Sequence, residues 1–438
     1  MPLTYSSALA YLNSFIDHSK THAANLAPEN FDLARVHSLM ASLGDPHLAY
    51  PVIHIAGTKG KGSTAAFCAA ALQAAGNRTG LYTSPHLEDY TERFQINRIP
   101  IPHEDFTTLV EDIQPHVAKI PRITSFEIEA ALAFWHFARQ NVNAAVIEVG
   151  MGGRLDATNV VTPLVSVITT ISLDHVPILG TTIAEIAGEK AGIIKEGRPI
   201  VSSPQPVPAW EVIHRIARQR RAPLVQVGDD VKFMPLSAGL AGQRLQVVFR
   251  DEPPAELEIQ LLGPHQVENA ATAYAALRVA VENGLNLPPD AIYTGFAAAT
   301  WPGRFEILTR DPVPIILDGA HNQDSARRLR ETLDQYFPSC PIVLVFGVSG
   351  DKNVREMLRE LRPRVQTLIA TQSTHPRAMP PEQLAFIAHE TNDKREIALS
   401  VQDALKCAYA IAPLNGIILV TGSIFVVGEA RTILSSSV

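Results

Sequence analysis

The chain has 438 residues, of which 46% are hydrophobic, and it carries 37 basic and 44 acidic side chains for a formal net charge of −7. This length exceeds what one hydrophobic core usually serves, so we expect at least two domains. The slightly acidic balance gives no general electrostatic reason to expect nucleic acid or an anionic membrane as a partner.

Cysteine usage and the N-terminal sequence favour a cytoplasmic protein. Cys68, Cys340 and Cys407 lie far apart and form no C-x-x-C pair, so neither zinc nor redox chemistry is expected of them. The N-terminus lacks a basic segment followed by an apolar one, and no run of about 18 apolar residues occurs. We therefore expect an enzyme of small molecules that is neither exported nor inserted into a membrane, and that works as a monomer.

A glycine-punctuated loop connects the first predicted strand to a helix. Between the apolar run 50–55 and the alanine-rich run 65–75 lies the segment His54-Ile55-Ala56-Gly57-Thr58-Lys59-Gly60-Lys61-Gly62-Ser63-Thr64. Glycines let backbone N–H groups turn towards a phosphate, the helix start adds positive potential, and Lys61 supplies a charge. Ser63 or Thr64 offers a hydroxyl to Mg²⁺. The pattern predicts an ATP site; the alternative is a glycine-rich turn without a ligand.

Predicted strands and helices alternate through the first two thirds of the chain. Apolar runs at 51–55, 144–149, 164–170 and 199–202 predict buried strands of a parallel sheet that is wrapped by helices. Between 225 and 262 the pattern changes to short alternating segments interrupted by Pro253-Pro254, which predicts a small antiparallel insert. A helix is predicted from Gln266 to Asn283.

Glu148 and His175 each follow or end a predicted strand. Glu148 ends the run that starts at Ala144, where open α/β sheets present ligand groups, and a carboxylate there can reach a metal held by nucleotide phosphates. His175 lies in the loop after the strand 164–170. Taken alone, a histidine after a strand is more often an ordinary loop residue with satisfied hydrogen bonds.

Lys190 lies in the middle of an apolar helical stripe. Thr182 and Glu185 form a capping box that starts a helix at Ile183. The 3.6-residue period places Ile183, Ile186, Ala187, Ala191 and Ile194 on one face with Lys190 among them. Burial lowers the pKa of an ammonium, and a neutral amine can add CO₂ to become a carbamate, an anionic oxygen ligand for Mg²⁺. The alternative is a lysine whose stem covers apolar surface while its amine reaches water.

A second alternation of strands and helices follows residue 304. Strands are predicted at 315–318, 342–346, 367–370 and 416–420, and helices at 325–336, 354–361, 381–391 and 401–410. We place the domain boundary near Ala298. The expected fold is α/β: a P-loop ATPase domain over 1–298 with a mostly parallel sheet and the antiparallel insert, and a smaller, Rossmann-like α/β domain over 299–438.

The phosphate loop departs from the standard G-x-x-x-x-G-K-[ST] spacing. Ile55 stands where the first glycine is expected, and Gly62 separates Lys61 from Ser63. The order Gly-Thr-x-Gly-Lys-Gly-Ser resembles instead the loop of the Mur ligase family of ADP-forming amide-bond ligases, in particular its folylpolyglutamate synthase and dihydrofolate synthase branch. The resemblance extends over nearly the whole chain.

The resemblance implies a two-magnesium centre. The segment 82–87 looks like the family loop whose serine coordinates Mg²⁺, which maps to Ser84, and the segment 148–159 matches one whose glutamate, here Glu148, bridges two Mg²⁺ ions. His175 and Lys190 map onto the remaining ligands of the second ion. The segment 188–195 is similar to the one that carries a carbamylated lysine, so Lys190 is expected as N6-carboxylysine. A monovalent cation is implied as a further cofactor.

The resemblance also implies ATP and substrate contacts. ATP contacts are expected from Gly57, Thr58, Lys59, Gly60, Lys61, Gly62, Ser63, Thr64, Asn269, Arg304 and Asp318. Pterin contacts are expected from Thr124, Ser125, Phe126, Glu127, Leu155, Asp156 and Ala157, and glutamate contacts from His321 and Ser423. Catalytic roles fall to Lys61, Lys190, His175, Asp318 and His321. Departures from the family pattern are Lys59 in place of asparagine, Trp301 in place of phenylalanine, Gln323 in place of proline, and Ser125 where an aromatic residue is expected.

The function implied is ATP-dependent addition of L-glutamate to dihydropteroate, to tetrahydrofolate polyglutamates, or to both, through an acyl phosphate. The alternatives are polyglutamylation alone, a related ligase with another acyl substrate, and a nucleotide-binding regulator that has lost ligation. Basic residues of the second domain could attract polyglutamate tails, although such charges are more often a solvated helix face. They are Arg327, Arg328, Lys352, Arg355 and Arg377.

Overall fold

The computed structural model describes residues 3–15, 32–309, 313–389 and 394–436. Three sheets organise these residues: one of eight strands, one of three and one of six. Among the described helices, none combines the length and the apolarity that a membrane crossing requires.

The eight-stranded sheet has the strand order β4-β3-β2-β5-β1-β6-β7-β8. The strands are β1 Val52–Ala56, β2 Thr79–Tyr82, β3 Phe94–Ile96, β4 Ile99–Pro100, β5 Ala144–Glu148, β6 Val165–Ile168, β7 Ile200–Ser202 and β8 Leu224–Gln226. Strands β2, β5, β1, β6, β7 and β8 are parallel, whereas β3 and β4 pair antiparallel at one edge. Ile55 of β1 pairs with Glu148 of β5, so the phosphate loop and Glu148 lie side by side at the carboxyl ends of these two central strands.

Helices cover both faces of this sheet. They are α1 Tyr5–Asn13, α2 Leu33–Ser42, α3 Lys61–Ala74, α4 His103–Val117, α5 Ser125–Arg139, α6 Val176–Leu179, α7 Ile183–Lys190, α8 Val207–Gln219, α9 Pro264–Glu282 and α10 Pro289–Ala298. Ile53 and Ile55 of β1 pack into the apolar cluster of α3, α9 and α10, whereas Val52 faces the cluster of α1, α2, α4 and α5. This alternation follows from the two-residue period of a strand.

The predicted antiparallel insert is confirmed. Strands β9 Val231–Gly239, β10 Gly242–Phe249 and β11 Ala255–Ile259 form a three-stranded antiparallel sheet. Leu245, Val247 and Phe249 of β10 are buried in the same cluster as α9. The insert therefore extends the core of the first unit.

The six-stranded sheet has the order β12-β13-β17-β14-β15-β16 and is parallel except for β12. Its strands are β12 Glu306–Thr309, β13 Ile315–Leu317, β14 Ile342–Phe346, β15 Val365–Ala370, β16 Arg395–Ile397 and β17 Ile417–Thr421. Its helices are α11 Gln323–Tyr336, α12 Val354–Leu361, α13 Pro381–Ala388, α14 Val401–Ile411 and α15 Ile424–Ser435. The division placed near Ala298 falls between α10, which packs on the first unit, and β12.

Several expected helices have different bounds. The helix after the phosphate loop begins at Lys61, four residues before the predicted alanine run, because Gly60 at its N-cap takes a φ of +90° that turns the chain into the helix. Helix α7 ends at Lys190, and 191–193 form a 3₁₀ turn, so Ile194 lies beyond the helix. The helix predicted to reach Thr391 ends at Ala388, and Thr391 lies outside the described residues.

Replacing Gly295 with alanine should destabilise the first unit. A Cβ added at Gly295 of α10 would lie 2.4 Å from the backbone of Ala71 in α3, a contact that requires the two helices to separate. We expect the free energy of unfolding to fall by about 1–3 kcal/mol in urea titrations. Gly188→Ala in α7 is the matched control, because no atom lies within 4 Å of its added Cβ, and it should raise stability by about 0.5–1 kcal/mol. Equal effects of the two substitutions would contradict the helix contact.

Candidate active site

The phosphate loop, Gly57 to Gly60, is held between the end of β6 and helix α9. A Cβ on Gly57 would lie 1.8 Å from Oγ1 of Thr169, and one on Gly60 would lie 2.2 Å from Oδ1 of Asn269. Both positions have positive φ, so glycine is required by conformation as well as by space. Asn269 therefore contacts the loop, where the family resemblance places an ATP contact.

Lys61 and Glu148 meet beside this loop. Nζ of Lys61 lies 3.8 Å from Oε1 of Glu148, and the backbone N–H of Ser84 donates a hydrogen bond to the same carboxylate. Burial raises the pKa of Glu148 to about 6, although the charges of Lys61 and Arg304 oppose the shift. The structure thus brings together three of the residues assigned to phosphate and metal binding.

The amine of Lys190 is buried against the phosphate loop. Lys190 is 4% exposed, and its Nζ donates a hydrogen bond of 2.8 Å to the carbonyl oxygen of Gly57. Burial, with a further contribution from the charge of Lys61, lowers the pKa of Lys190 to about 7. The alternative in which the amine reaches water is therefore wrong, and a substantial fraction of this amine is neutral near neutral pH.

The glycine-rich segment after β5 leaves room for the C-terminal end of α7 to pack directly against it. A Cβ on Gly153 would lie 2.9 Å from the carbonyl oxygens of Glu189 and Lys190. The backbone N–H of Arg154 donates to the carbonyl of Glu189 at 2.8 Å. These contacts place Lys190 at the edge of the sheet.

His175 lies in the loop between β6 and α6, in a left-handed conformation with a φ of +49°. Burial lowers the pKa of His175 to about 4, with Asp174 opposing the shift and the charges of nearby lysines adding to it. The imidazole is therefore neutral at ordinary pH, which is the form that binds a metal.

The donor set suits Mg²⁺ only if Lys190 is modified. Within the described part of the chain, no group of three or more His, Cys, Asp or Glu side chains could hold a metal ion. Glu148 and Ser84 offer oxygen, but a lysine amine is a poor ligand for a hard cation. Two buried hydroxyls near the loop, those of Thr64 and Ser172, lack a hydrogen-bond partner among the described residues. A carbamate on Lys190 would supply the missing anionic oxygen.

The second unit contributes a loop that faces the phosphate loop. Oδ2 of Asp318 accepts from the N–H of Phe305 and Oδ1 from that of Ala320, both at 2.9 Å. His321 Nδ1 donates to the carbonyl of Gly319 at 2.9 Å, which leaves Nε2 as an acceptor. Arg304 lies against the same loop, since a Cβ on Gly319 would be 2.3 Å from its Nη1.

Ser423 caps helix α15, where its Oγ accepts from the N–H of Phe425 at 3.2 Å. The adjacent N–H of Gly422 donates to the carbonyl of Ala320 at 3.0 Å, so the end of β17 contacts the Asp318–His321 loop. Ser423 is 5% exposed. A contact between Ser423 and glutamate would therefore use the same hydroxyl that accepts the capping hydrogen bond of α15.

In the first segment assigned to the pterin, Phe126 packs on the loop that leads to the second segment, because a Cβ on Gly150 would lie 2.3 Å from its ring. The carboxylates of both segments have partners within the chain. Glu127 accepts from Arg35 at 2.7 Å and from the N–H of Thr124 at 2.8 Å. Asp156 accepts from the N–H of Met151 and from the hydroxyl of Thr158. Ser125 and Ala157 are buried, and Leu155 is half-buried.

Lys59, Asp174 and Trp301 have positions that sequence reasoning missed. The Lys59 ammonium, expected beside the phosphates, lies 3.0 Å from Oδ2 of Asp174. The sequence held one signal for this ion pair: Asp174 is an acidic residue directly before His175, in a loop predicted to belong to the site. The indole of Trp301 packs on Gly62, where an added Cβ would lie 2.9 Å from Nε1.

A cavity of about 290 Å³ lies where the two units meet, beside these groups. Its lining includes Gly62, Ser84, His86, Glu148, Trp301 and Arg304. The cavity therefore joins the first turn of α3, directly after the phosphate loop, and two residues of the proposed metal centre to the start of the second unit.

The basic side chains considered for polyglutamate tails mostly have acidic partners. Arg327 lies 2.7 Å from Asp324 and 2.8 Å from Glu331, Arg328 lies 3.3 Å from Asp324, Lys352 lies 3.4 Å from Asp351, and Arg377 lies 3.9 Å from Asp351. These ion pairs favour the solvated helix face over a polyanion site.

Comparison with known proteins agrees with this arrangement of two units. Residues 55–277 match the Mur ligase middle domain, and residues 303–424 match the Mur ligase glutamate ligase domain. The chain belongs to the Mur ligase family. Within it, the chain is 38% identical to the dihydrofolate synthase/folylpolyglutamate synthase of Bacillus subtilis, over 91% of this chain and 94% of that protein.

Solved structures extend this Mur ligase assignment to the fold. A Mycobacterium tuberculosis folylpolyglutamate synthase complexed with ADP superposes with a TM-score of 0.88 at 35% identity, covering 98% of each chain. The Escherichia coli FolC structure in complex with DHPP and ADP gives a TM-score of 0.87 at 30% identity, covering 99% of this chain and 98% of that one. The α/β fold with a mostly parallel first sheet and a second α/β unit is thereby confirmed.

Proposed function

We propose that this Mur ligase family member is an ATP-dependent, ADP-forming ligase that adds L-glutamate to dihydropteroate, to tetrahydrofolate polyglutamates, or to both. The observation that carries the proposal is the convergence of the phosphate loop, Glu148 and the buried amine of Lys190 at the carboxyl ends of strands β1 and β5. The likeness to dihydrofolate synthase/folylpolyglutamate synthases over more than nine tenths of the chain supports the substrate class.

The reaction begins with two anions that repel each other, the γ-phosphate of ATP and the carboxylate of the folate. Transfer of the phosphoryl group to the carboxylate yields ADP and an acyl phosphate, which the amine of glutamate attacks with release of phosphate. Lys61 stands beside Glu148, where it offsets the charge of the phosphates. Arg304 adds a second positive charge from the second unit, where it lines the cavity between the two units.

Ser84, Glu148, His175 and carbamylated Lys190 would hold two Mg²⁺ ions, the first near Ser84 and Glu148 and the second shared by Glu148, His175 and Lys190. When bound, these ions supply electrostatic stabilisation of the transferring phosphoryl group. The carbamate forms when the neutral amine of Lys190 bonds to the carbon of CO₂ and releases one proton. Burial beside Lys61 keeps that amine partly neutral.

Asp318 and His321 are proposed for nucleotide and glutamate contacts, together with Ser423. The neutral imidazole of His321 has one nitrogen directed to the carbonyl of Gly319 and the other towards the phosphate loop. We further propose that the chain acts as a monomer in the cytoplasm, where its three free cysteines suit a reducing environment, and that a monovalent cation is a further cofactor.

Carbamate occupancy and turnover should both rise with pH. The amine of Lys190, with a pKa of about 7, is mostly protonated at about pH 6 and mostly neutral at about pH 8, and CO₂ adds only to the neutral form. Glu148, with a pKa of about 6, also loses its charge as the pH falls. At fixed dissolved ¹³CO₂, the carbamate ¹³C NMR signal and kcat should decline together below about pH 7. A carbamate signal of constant intensity over this range would contradict the assignment.

The substrate assignment is tested by ADP release with dihydropteroate and with tetrahydrofolate, each with glutamate, ATP and Mg²⁺. Release with both supports a bifunctional enzyme, and release with tetrahydrofolate alone supports polyglutamylation only. Nucleotide binding without release on either substrate would favour a related ligase or a regulator. Omission of glutamate is the control for unproductive ATP hydrolysis.

A further inference from the structure

Lys59 connects the phosphate loop to the second unit. Its Nζ lies 3.0 Å from Oδ2 of Asp174 and 3.3 Å from Nε2 of His321. Asn322 donates from Nδ2 to the same Asp174 oxygen at 3.1 Å. Two residues of the first unit and two of the second therefore share one small network.

The hydrogen bonds of this network are mutually consistent. His321 donates from Nδ1 to the carbonyl of Gly319, so its Nε2 carries a lone pair that accepts from the Lys59 ammonium. Asp174 accepts from Lys59 and Asn322 through Oδ2, and from the N–H of His175 through Oδ1. Each donor thus meets an acceptor.

The ion pair between Lys59 and Asp174 is shielded from water. The side chains of Lys59 and Asp174 are 13% and 10% exposed, so their interaction differs from a surface ion pair, which contributes little. Removal of one partner from such a site leaves the other charge without compensation. Lys59 is two residues from Lys61, and His321 lies in the loop that carries Asp318. The contact consequently links the ATP side of the site to the side assigned to glutamate.

We propose that Lys59 is a positioning residue that, through Asp174, holds the His321–Asn322 loop of the second unit against the phosphate loop. Under the proposed function the phosphate charge is offset by Lys61, whose amine lies beside Glu148. Loss of Lys59 should therefore impair use of glutamate more than use of ATP. A kinetic test of this expectation rests on the proposed function. A structural test, hydrogen exchange of the ligand-free protein, needs no substrate.

The structural test is hydrogen exchange of the ligand-free protein. Lys59→Asn is the main variant, because asparagine is the usual residue at this position in the loops that the sequence resembles. Asp174→Asn is the second variant, since it retains an acceptor for the N–H of His175. Amides in the segment 318–326 should exchange about tenfold faster in either variant, and the double variant should be no faster than the singles. Lys119→Met, an exposed lysine after α4, is the control and should leave the segment unchanged.

The kinetic test separates positioning from phosphate binding. In Lys59→Asn the KM for glutamate should rise about tenfold while the KM for ATP changes less than about threefold. Unchanged exchange at 318–326 in both variants would overturn the proposal. A raised KM for ATP with an unchanged KM for glutamate would also overturn it and would make Lys59 a phosphate ligand. Failure of the enzyme to use folates would leave the exchange result intact, so the two proposals fail separately.

Discussion

Replacing Lys190 with methionine should lower kcat for ligation by about a thousandfold, because the buried amine that forms the proposed carbamate is lost. Methionine has similar length and no charge, so it fills the apolar surroundings of α7. Binding of ADP to the phosphate loop should remain, since Lys61 and the N–H groups of the loop are retained and only the hydrogen bond from Lys190 to the carbonyl of Gly57 is lost. The measurements are steady-state ADP release and ADP titration by calorimetry.

Lys195→Met is the matched control for this experiment. Lys195 belongs to the same segment, its Nζ donates to the carbonyl of Asn159 at 2.6 Å, and burial lowers its pKa to about 8. It has no assigned role in the site, so its variant should keep activity within about threefold. Incubation with ¹³CO₂ should give a carbamate NMR signal in the parent and in Lys195→Met but none in Lys190→Met. An equal signal in all three proteins would place the modification elsewhere.

Replacing Glu148 with glutamine should lower kcat by about 10²–10³-fold, because the only change is loss of the charge that both proposed ions require. Burial raises the pKa of Glu148, which shows that the folded protein disfavours its charged form. The variant should therefore be at least as stable as the parent in thermal unfolding. Loss of activity with retained stability is the expected result.

Glu189→Gln serves as the control for Glu148. Glu189 is adjacent to Lys190 in the sequence but pairs with Arg154 at 2.9 Å on a partly exposed surface, where such a pair contributes little. Its variant should retain turnover. If Glu148→Gln kept full turnover at saturating Mg²⁺, the carboxylate would have no part in phosphoryl transfer.

Strong local patterns predicted the core elements well. Helix α12 and strand β14 have the predicted bounds, β5 and β7 differ by one residue at one end, and β1 is shifted by one residue. These segments combine apolar runs with clear breakers, so local periodicity decides them. By contrast, β16 has three residues and the antiparallel edge strands β3 and β4 have three and two. Such short segments become strands only because a neighbouring strand supplies hydrogen bonds, and the sequence does not encode that neighbour locally.

The sequence proposes which residues form the candidate site, but it does not give the contacts that these residues make. Motif order predicted Lys61, Glu148, His175 and Lys190 as site residues, since each stands in a long and specific resemblance. The partner of Lys59 was not predictable, because Asp174 is 115 residues away and His321 lies in the other unit. Nor did the pattern show that Asp156 and Glu127 already accept hydrogen bonds within the chain.

By itself, the sequence determined the α/β class, the phosphate loop, the antiparallel insert and the residue types available for ligation, because these follow from short-range periodicity and from motifs contained in single segments. Only the tertiary structure decided that the amine of Lys190 is sealed against Gly57 and that the ammonium of Lys59 reaches the second unit. The physical reason is that burial and charge pairing depend on which distant surfaces meet. The amine of a lysine in an apolar stripe can reach water or contact protein, and the sequence allows both. The packing of the neighbouring loop decides which of the two occurs.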